Sequence, residues 1–445
     1  MKKNDRNVVS GQQCAFLGGP FFIANKIISA CHLAKEKKHS AIFWVETNDS
    51  DFNEISKTSF INAKGQYQQI ALKRSDVPLP NGFRIGDIPI NSAFLEAVEK
   101  FFNALAKTAH TKKLKEIAMQ SYADCRDMGA ATISILQKLF VEDKKVFSKL
   151  NVPLKFFDPR DEKFLDFCKP FLMKEALSPV LKQGEQCPFF ALIDQSRKAV
   201  FKEKDFFTTR LGEKIDLEKT TLLPHLLTRS ILQDAYLNAD FYVAGPSEMI
   251  YLKKLEKRYQ QHGIKQSRLV ERMKTILLSN RDEKNLHELA MAINRKNTAK
   301  KIDEKVLLEK LLHLEKNQID KYLLSLHLKF DVDQYKKLLE KTKQNFVDQL
   351  SKMEAPVNIV KKIERKIYLE QKHILGQKRK DAKRNLAKIF EIKDRFTQNV
   401  TPDQERTFSL FYFLNYYGTD LLSYLIENFK ARENILRESQ MNFLK

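Results

Sequence analysis

The chain has 445 residues, 43% of them hydrophobic, which is more than one core normally holds, so two or three structural units are expected. Its formal net charge is +22, from 78 basic and 56 acidic residues, which keeps a polyanionic partner among the readings. Five cysteines (Cys14, Cys31, Cys125, Cys168, Cys187) without CxxC spacing and nine histidines without an HExxH pattern argue against a disulfide framework or a sequence-encoded metal site, and the odd cysteine count suits a reducing compartment.

Met1, Lys2 and Lys3 precede an uncharged run from Asn7 to Asn25 that superficially resembles a signal peptide. Gln12, Gln13, Gly18, Gly19 and Pro20 make that run poor hydrocarbon, and Asp5 and Arg6 interrupt its approach. No other window nears a spanning length, so a cytoplasmic protein is expected. Val8 and Val9 open a strand, Gly11 is read as a backbone turn, and Gly18, Gly19 and Pro20 lead into an apolar helical pattern that runs to about Lys35. Ala41 to Val45 reads as a second strand, followed by Asp49 and Asp51. Strand, helix and strand make the seed of a parallel sheet, whose crevice lies at the carboxyl ends of the strands. Both polar clusters fall there. The loop is neither GxGxxG nor GxxxxGK[ST], so by itself it supports an anion or sugar site in an α/β domain.

Pro78, Pro80, Gly82 and Gly86 mark a loop-rich edge, and Asn91 to Phe140 has helical periodicity through Phe94, Leu95, Val98 and Phe102. Val152 to Phe157 reads as a short strand, Phe189 to Ile193 with Ala199 to Phe201 as a hairpin-like satellite, and Phe241 to Ala244 as a return to the parallel core. From about Asn280 glycine nearly vanishes. Leu307, Leu311 and Leu314 keep a four-three spacing, as do Leu386, Ile389 and Phe396 with Lys393 at the intervening seam position, and Pro356 suits the first turn of a second helix. An antiparallel helical hairpin follows, either a dimerisation arm or a pair packed on its own core. Its second half carries the basic excess, since Lys361 to Val400 holds 13 Lys and Arg against 5 Asp and Glu.

Five segments carry a family resemblance. VVSGQQCAFLGGPFFIANKIISACHLAK at Val8 to Lys35, IFWVETNDSDFNEI at Ile42 to Ile55, KFFDPRDEKFLDFCKPFLMKEAL at Lys155 to Leu177, TRSILQDAYLNADFYVAGPSEMIYLKKL at Thr228 to Leu255 and VTPDQERTFSLFYFLNYYG at Val400 to Gly418 resemble, in the same order, the bacillithiol biosynthesis cysteine-adding enzymes, the BshC cysteine ligases. Against that pattern the chain is shortened at its N-terminus, Ser50 stands where the acidic loop usually carries His, Ala15 where a glycine is usual, and Ser230 where a proline follows Arg229. The resemblance implies a Rossmann-like α/β core with helical insertions and a C-terminal antiparallel coiled-coil arm. The expected division is a core over 1–280 with insertions at about 91–225, a helical hairpin over 281–398 and a terminal helical segment over 399–445. It also implies a homodimer, and amide formation between L-cysteine and the amine of glucosaminyl malate. Carboxyl activation calls for a nucleotide, so ATP with magnesium is the expected co-substrate, although no motif places it.

The candidate site residues fall in two clusters. In the first, Gln12 and Gln13 either satisfy buried backbone groups in a tight turn or bind sugar hydroxyls, beside Gly19 and Pro20. Lys26, on an otherwise apolar helix, needs Asp49, Asp51 or a substrate anion as its partner. Asp49 and Asp51 alternate along extended chain, so one of them faces the crevice and can take the amine's proton. In the second cluster, Arg229 and Gln233 share a helix face, where the guanidinium either clamps the malate carboxylates or pairs with Asp234 or Glu248. Gly245, Pro246, Glu248 and Tyr251 follow at the end of another strand. Arg272 is a further candidate, with helix surface as its plainer role. Two other functions stay open: a catalytically silent relative that binds a sugar or nucleotide, and a basic coiled-coil scaffold that binds nucleic acid through Lys378 to Lys388.

Overall fold

The computed structural model of the chain describes residues 6–296, 301–314, 318–323, 332–352, 357–401, 403–431, 433–437, 439 and 441. These fall into two compact units, one within Met1–Ile276, Glu405–Ile435 and Met441–Lys445 and the other within Leu277–Gln404 and Leu436–Gln440.

The first unit is built on five parallel strands, β1 (Asn7–Gln13), β2 (Ser40–Glu46), β3 (Leu154–Phe157), β4 (Ala239–Ala244) and β5 (Arg268–Glu271), in the order β5-β4-β1-β2-β3. The central strands read as continuous apolar runs because both faces are covered, as parallel sheets require. Helix α1 (Phe22–Lys37) lays Ile23, Ala24, Ile27, Ile28, Cys31 and Ala34 into the core and stops at Lys38, which adopts φ 55°. Gly11 is not a turn: it lies inside β1, where a Cβ would stand 2.7 Å from the Trp44 carbonyl oxygen of β2. Only glycine lets the two backbones approach so closely there. Strand β5 escapes sequence reading because its four residues begin and end on charged side chains.

The helical expectation for Asn91 to Phe140 resolves into Ser92–Ala104, Thr111–Asp124 and Met128–Gln137, the first and last capped by the Asn91 and Asp127 side chains. The expected hairpin, Gln186–Ile193 with Ser196–Lys202, is the middle of a five-stranded antiparallel sheet that also contains Phe207–Thr209, Lys214–Ile215 and Thr221–Pro224. Trp44 of β2, Phe164, Cys168 and Leu172 of helix Glu162–Ala176, and Phe189 and Val200 of the second sheet share one buried core. That core ties the insertion to the parallel sheet. Helix α2 (Phe52–Ile55) follows β2, α3 (Leu226–Leu237) precedes β4, and α4 (Pro246–Lys253) follows it. Helices Leu410–Tyr417 and Asp420–Glu427 also belong to this unit, where the Phe408 carbonyl accepts from Phe21 N–H and the Gly19 carbonyl from Leu410 N–H.

The described residues of the second unit are largely helical: α5 (Asn280–Lys296), α6 (Glu304–His313), α7 (Val332–Lys352) and α8 (Val357–Thr397). Leu307 and Leu311 are buried as their spacing suggests, joined by Leu308 and Leu312, and Ile389 and Phe396 are buried on α8. Lys393, at the seam, pairs with Asp320 and Asp394 at 2.8 Å each. Pro356 and the side chain of Leu386 lie outside the described residues. All five cysteines are free thiols, and among the described residues no helix is long and apolar enough to cross a membrane.

Candidate active site

A cavity of about 820 Å³ opens at the carboxyl ends of β1, β2 and β4. It is bordered by the ends of β1 and β2, the starts of α1, α3 and α4, Arg272 after β5, and Arg406 from the returning C-terminal segment. Parallel strands put their carboxyl ends and the following helix N-termini on one edge, which is why segments more than 200 residues apart in sequence converge there.

Gln12, Gln13, Pro20, Lys26, Asp49, Asp51, Arg229, Gly245, Pro246, Glu248, Tyr251 and Arg272 all line this cavity. One wall is a chain of amides and carboxylates. Gln12 donates Nε2–H to Gln13 Oε1 at 3.1 Å, and Gln13 donates to Asp49 Oδ2 at 2.7 Å and Glu54 Oε2 at 3.0 Å. Asp49 Oδ1 accepts from Ser50 N–H at 2.6 Å and faces Arg197 Nη1 at 3.4 Å. Burial pushes the Asp49 carboxyl up, but those hydrogen bonds and the charges of Arg197 and Arg229 outweigh it and hold the group below its usual range. Asp51 is exposed at the mouth and caps α2 by accepting from Glu54 N–H at 3.1 Å.

The cations are held by partners other than those the sequence suggested. Lys26, 1% exposed, pairs with Glu248 Oε2 at 2.6 Å and donates to the Gly11 carbonyl at 2.6 Å and Gln12 Oε1 at 3.1 Å, so neither Asp49 nor Asp51 holds it. Burial draws its ammonium below the ordinary lysine range, with Glu248 opposing. Arg229 pairs with Glu46 Oε2 at 2.5 Å, not with Asp234 or Glu248. Glu46 is the residue that sequence reasoning missed. Its Oε2 also accepts from Trp44 Nε1–H and its Oε1 from Asn48 N–H, both at 2.9 Å. An acidic residue closing an otherwise apolar parallel strand, right at the crevice edge, was the available signal. Arg197 had none, because it reaches Asp49 from the other sheet.

Three candidates are placed elsewhere. Gln233 and Asp234 are buried on the core side of α3 and do not line the cavity. Asp234 Oδ2 accepts from Tyr259 O–H at 2.8 Å and Ser267 N–H at 3.0 Å, and burial pushes its carboxyl up to about 6. Position i+4 shares a face with Arg229 only approximately, and the long arginine side chain reaches the cavity where the shorter amide does not. Gly19 has φ 85° and a Cβ there would meet Ile23 Cδ1 at 2.6 Å, so it shapes the entry to α1 without lining the cavity. Arg272 is no surface residue: its side chain is 5% exposed and bound to Glu405 at 2.6 Å.

Donor capacity remains unspent in this site. The Nε atoms of Arg229 and Arg272, which line the cavity, are buried without a hydrogen-bond acceptor, as is that of Arg197 behind Asp49. A buried unsatisfied donor costs about 1–3 kcal/mol, so the two at this cavity are donors for which an anionic group would be a suitable acceptor. Among the described residues no group of three or more His, Cys, Asp or Glu side chains is placed to hold a metal ion.

Residues 1–273 match the family model described as "Bacillithiol biosynthesis BshC, N-terminal Rossmann-like domain". A protein of Staphylococcus carnosus named "Putative cysteine ligase BshC" is 24% identical, with 95% of this chain and 82% of that protein covered. Proteins of the same name from Chlorobaculum tepidum and Carboxydothermus hydrogenoformans are 21% and 25% identical, covering 94% and 96% of this chain and 80% and 83% of theirs. The family model spans more than half of the sequence and takes in β1 to β5 with most of the cavity: the chain belongs to the BshC family of bacillithiol biosynthesis.

Proposed function

We propose that this chain is a carbon–nitrogen ligase that joins the carboxyl of L-cysteine to the amine of glucosaminyl malate in bacillithiol biosynthesis. The observation that carries the reading is the convergence on one cavity of Arg229, braced by Glu46, and the Gln12–Gln13–Asp49 chain. A guanidinium suits the malate carboxylates, and paired amides suit sugar hydroxyls. ATP with magnesium supplies carboxyl activation when bound. The protein's own groups then orient the amine and take its proton. The amine nitrogen forms the new C–N bond, the C–O bond to the leaving group breaks with its electron pair on oxygen, and the surplus proton passes to Asp51. Asp49, held ionised, steadies the positive charge developing on nitrogen. Five free thiols fit the cytoplasm, which keeps them reduced.

The test is mass spectrometry of purified protein supplied with glucosaminyl malate, cysteine, ATP and magnesium, with Asp51→Ala and Arg229→Lys in parallel. Bacillithiol from the wild type, loss in Asp51→Ala and a KM for glucosaminyl malate raised about tenfold or more in Arg229→Lys support the assignment. Ser50 favours a second reading, since a hydroxyl does not titrate near neutrality as histidine does. Well-folded protein that binds glucosaminyl malate yet forms no product establishes the silent relative.

Chain pairing through α7 and α8 completes the proposal. Phe346 on α7 and Ile359, Tyr368 and Leu369 on α8 are exposed, an apolar display that a second chain would cover in a coiled coil. Light scattering that gives a dimer mass, reduced to a monomer by Phe346→Glu with Leu369→Glu, supports this; a monomeric wild type removes it. The side chains of 378–386, the basic stretch of the nucleic-acid alternative, lie outside the described residues.

A further inference from the structure

Two helix N-termini meet at one corner of the cavity. Helix α1 starts at Phe22 with no side-chain cap, and α4 starts at Pro246 behind Gly245, which has no side chain to offer. Such ends carry positive partial charge, but the Phe21, Ile23 and Ala24 N–H groups of α1 already donate to the Phe408, Pro20 and Phe21 carbonyls, and many helix ends bind nothing. Arg272 distinguishes this corner. It spends Nη1 on the Met273 carbonyl at 2.8 Å and Nη2 on Glu405 at 2.6 Å, while its Nε keeps no acceptor. That Nε stands 3.7 Å from where a Cβ on Gly245 would be, and its guanidinium carbon lies 5.3 Å from the centre of the Phe22 ring. The unpartnered donor therefore sits where the starts of α1 and α4 come together.

Further cations surround the same ring. Lys26 Nζ is 5.8 Å from its centre, and the exposed Arg406 reaches within 6.0 Å from the rim. Glu405 is fully enclosed behind Arg272 and does not line the cavity. The negative charge that does face the corner is Glu248, whose Oε2 takes the Lys26 ammonium at 2.6 Å and the Gly245 N–H at 2.7 Å. Two carboxylates, Glu405 behind Arg272 and Glu248 facing the corner, thus serve three cations and two helix starts. What the two carboxylates leave over is the Arg272 Nε–H and the Arg406 guanidinium, and with Lys26 freed from Glu248 the donors suit a tetrahedral dianion with three acceptor oxygens.

We propose that this corner, between the N-termini of α1 and α4 and enclosed by Arg272, Lys26 and Arg406, is a phosphoryl seat in which the Glu248 carboxylate competes with the incoming phosphate. The seat deepens the ligase reading by placing the phosphate of its nucleotide or acyl-phosphate partner, and it leaves the sugar to Arg229 and the glutamines. Replacing Glu248 by Gln removes the competitor's charge while keeping an acceptor for Gly245. Arg406, exposed and outside the core, can be removed with little effect on folding.

Isothermal titration of the full chain with inorganic pyrophosphate, ATP and adenosine, at fixed salt and without other substrates, tests the seat. Saturable pyrophosphate binding is expected, tightened about tenfold by Glu248→Gln and weakened about fivefold by Arg406→Ala, with the thermal midpoint of Arg406→Ala unchanged. ATP binding tighter than pyrophosphate with the same dependence on both variants assigns the phosphate to a nucleotide; equal affinities assign the seat to the phosphoryl group itself. Pyrophosphate that fails to bind, or binding untouched by Arg406→Ala, overturns the proposal, as does a folded Glu248→Gln that binds no tighter. Should Glu248→Gln not fold, Arg406→Glu decides: unchanged pyrophosphate affinity refutes the seat. Glucosaminyl malate binding measured on the same proteins separates the two ideas, because its survival when pyrophosphate binding is absent leaves the ligase reading standing.

Discussion

Removing Glu46 should be among the most damaging single changes in the first unit, and its size can be worked from the contacts. The carboxylate is 6% exposed and satisfies three donors: Trp44 Nε1–H, Asn48 N–H and Arg229 Nη1–H. Glu46→Ala leaves all three without their acceptor and strands a guanidinium that is 20% exposed. Deleting one partner of a buried pair costs about 3–5 kcal/mol, and cavity water around Arg229 puts the expected loss near the lower end, about 3 kcal/mol. Glu46→Gln keeps an oxygen for two of the three donors and should lose about 2 kcal/mol. The chain's single tryptophan is Trp44, in direct contact with Glu46, so urea unfolding followed by its fluorescence reports this unit. Midpoints and slopes, not intensities, carry the comparison. In a double-mutant cycle Glu46→Ala with Arg229→Met should cost about 2 kcal/mol less than the sum of the single changes, because the second change removes the stranded charge. A loss below about 1 kcal/mol for Glu46→Ala, or additivity within about 0.5 kcal/mol, would refute the pairing as a structural element.

Asp234 carries a pH signature. Its carboxyl is pushed up to about 6 in the folded chain against about 3.9 unfolded, so between those values the folded state holds the extra proton and stability falls as pH rises. Asp234→Asn keeps an acceptor for Tyr259 and Ser267 and should abolish that fall, gaining about 1–3 kcal/mol on the wild type between pH 4 and pH 7; parallel curves from denaturant titrations across that range would contradict it. Arg160 binds Asp158 at 2.7 Å, Asp87 at 3.0 Å and Asp127 at 3.1 Å, so Arg160→Met should cost about 3–5 kcal/mol by leaving three carboxylates together, and a melting temperature within experimental error of the wild type would show that solvent already screens them. Gly11→Ala drives a methyl into the Trp44 carbonyl and should cost about 1–3 kcal/mol, read in the same fluorescence assay, with a neutral result meaning that β1 and β2 can part.

The parallel core was legible because local chemistry encodes it. Val8, Val9 and Ala41 to Val45 are apolar without alternation, and α1 has its punctuation in Gly18, Gly19 and Pro20. The helical insertions show their period, and the hairpin shows its two strands. The charged β5 and the partners of the antiparallel sheet were not legible, because short strands take their identity from what they pair with. The site was read in the same uneven way: most of the polar residues that the sequence singled out at strand ends do line one cavity, since parallel topology sends those ends to a common edge.

By itself, the sequence determined which residues stand at the carboxyl ends of the strands, because that depends only on the order of strand, loop and helix. Tertiary structure alone decided who holds whom. Lys26 could have paired with Asp49, Asp51 or a substrate, and it pairs with Glu248 because α1 and α4 start side by side. Arg229 could have met Asp234, yet Asp234 turns into the core toward Tyr259 while Glu46 waits across the sheet edge. Charge pairs across more than 180 residues leave no local trace, since a carboxylate and a guanidinium look the same in sequence whether they face each other, solvent or a ligand; only the packing of β1, β2 and β4 brings them within a hydrogen bond.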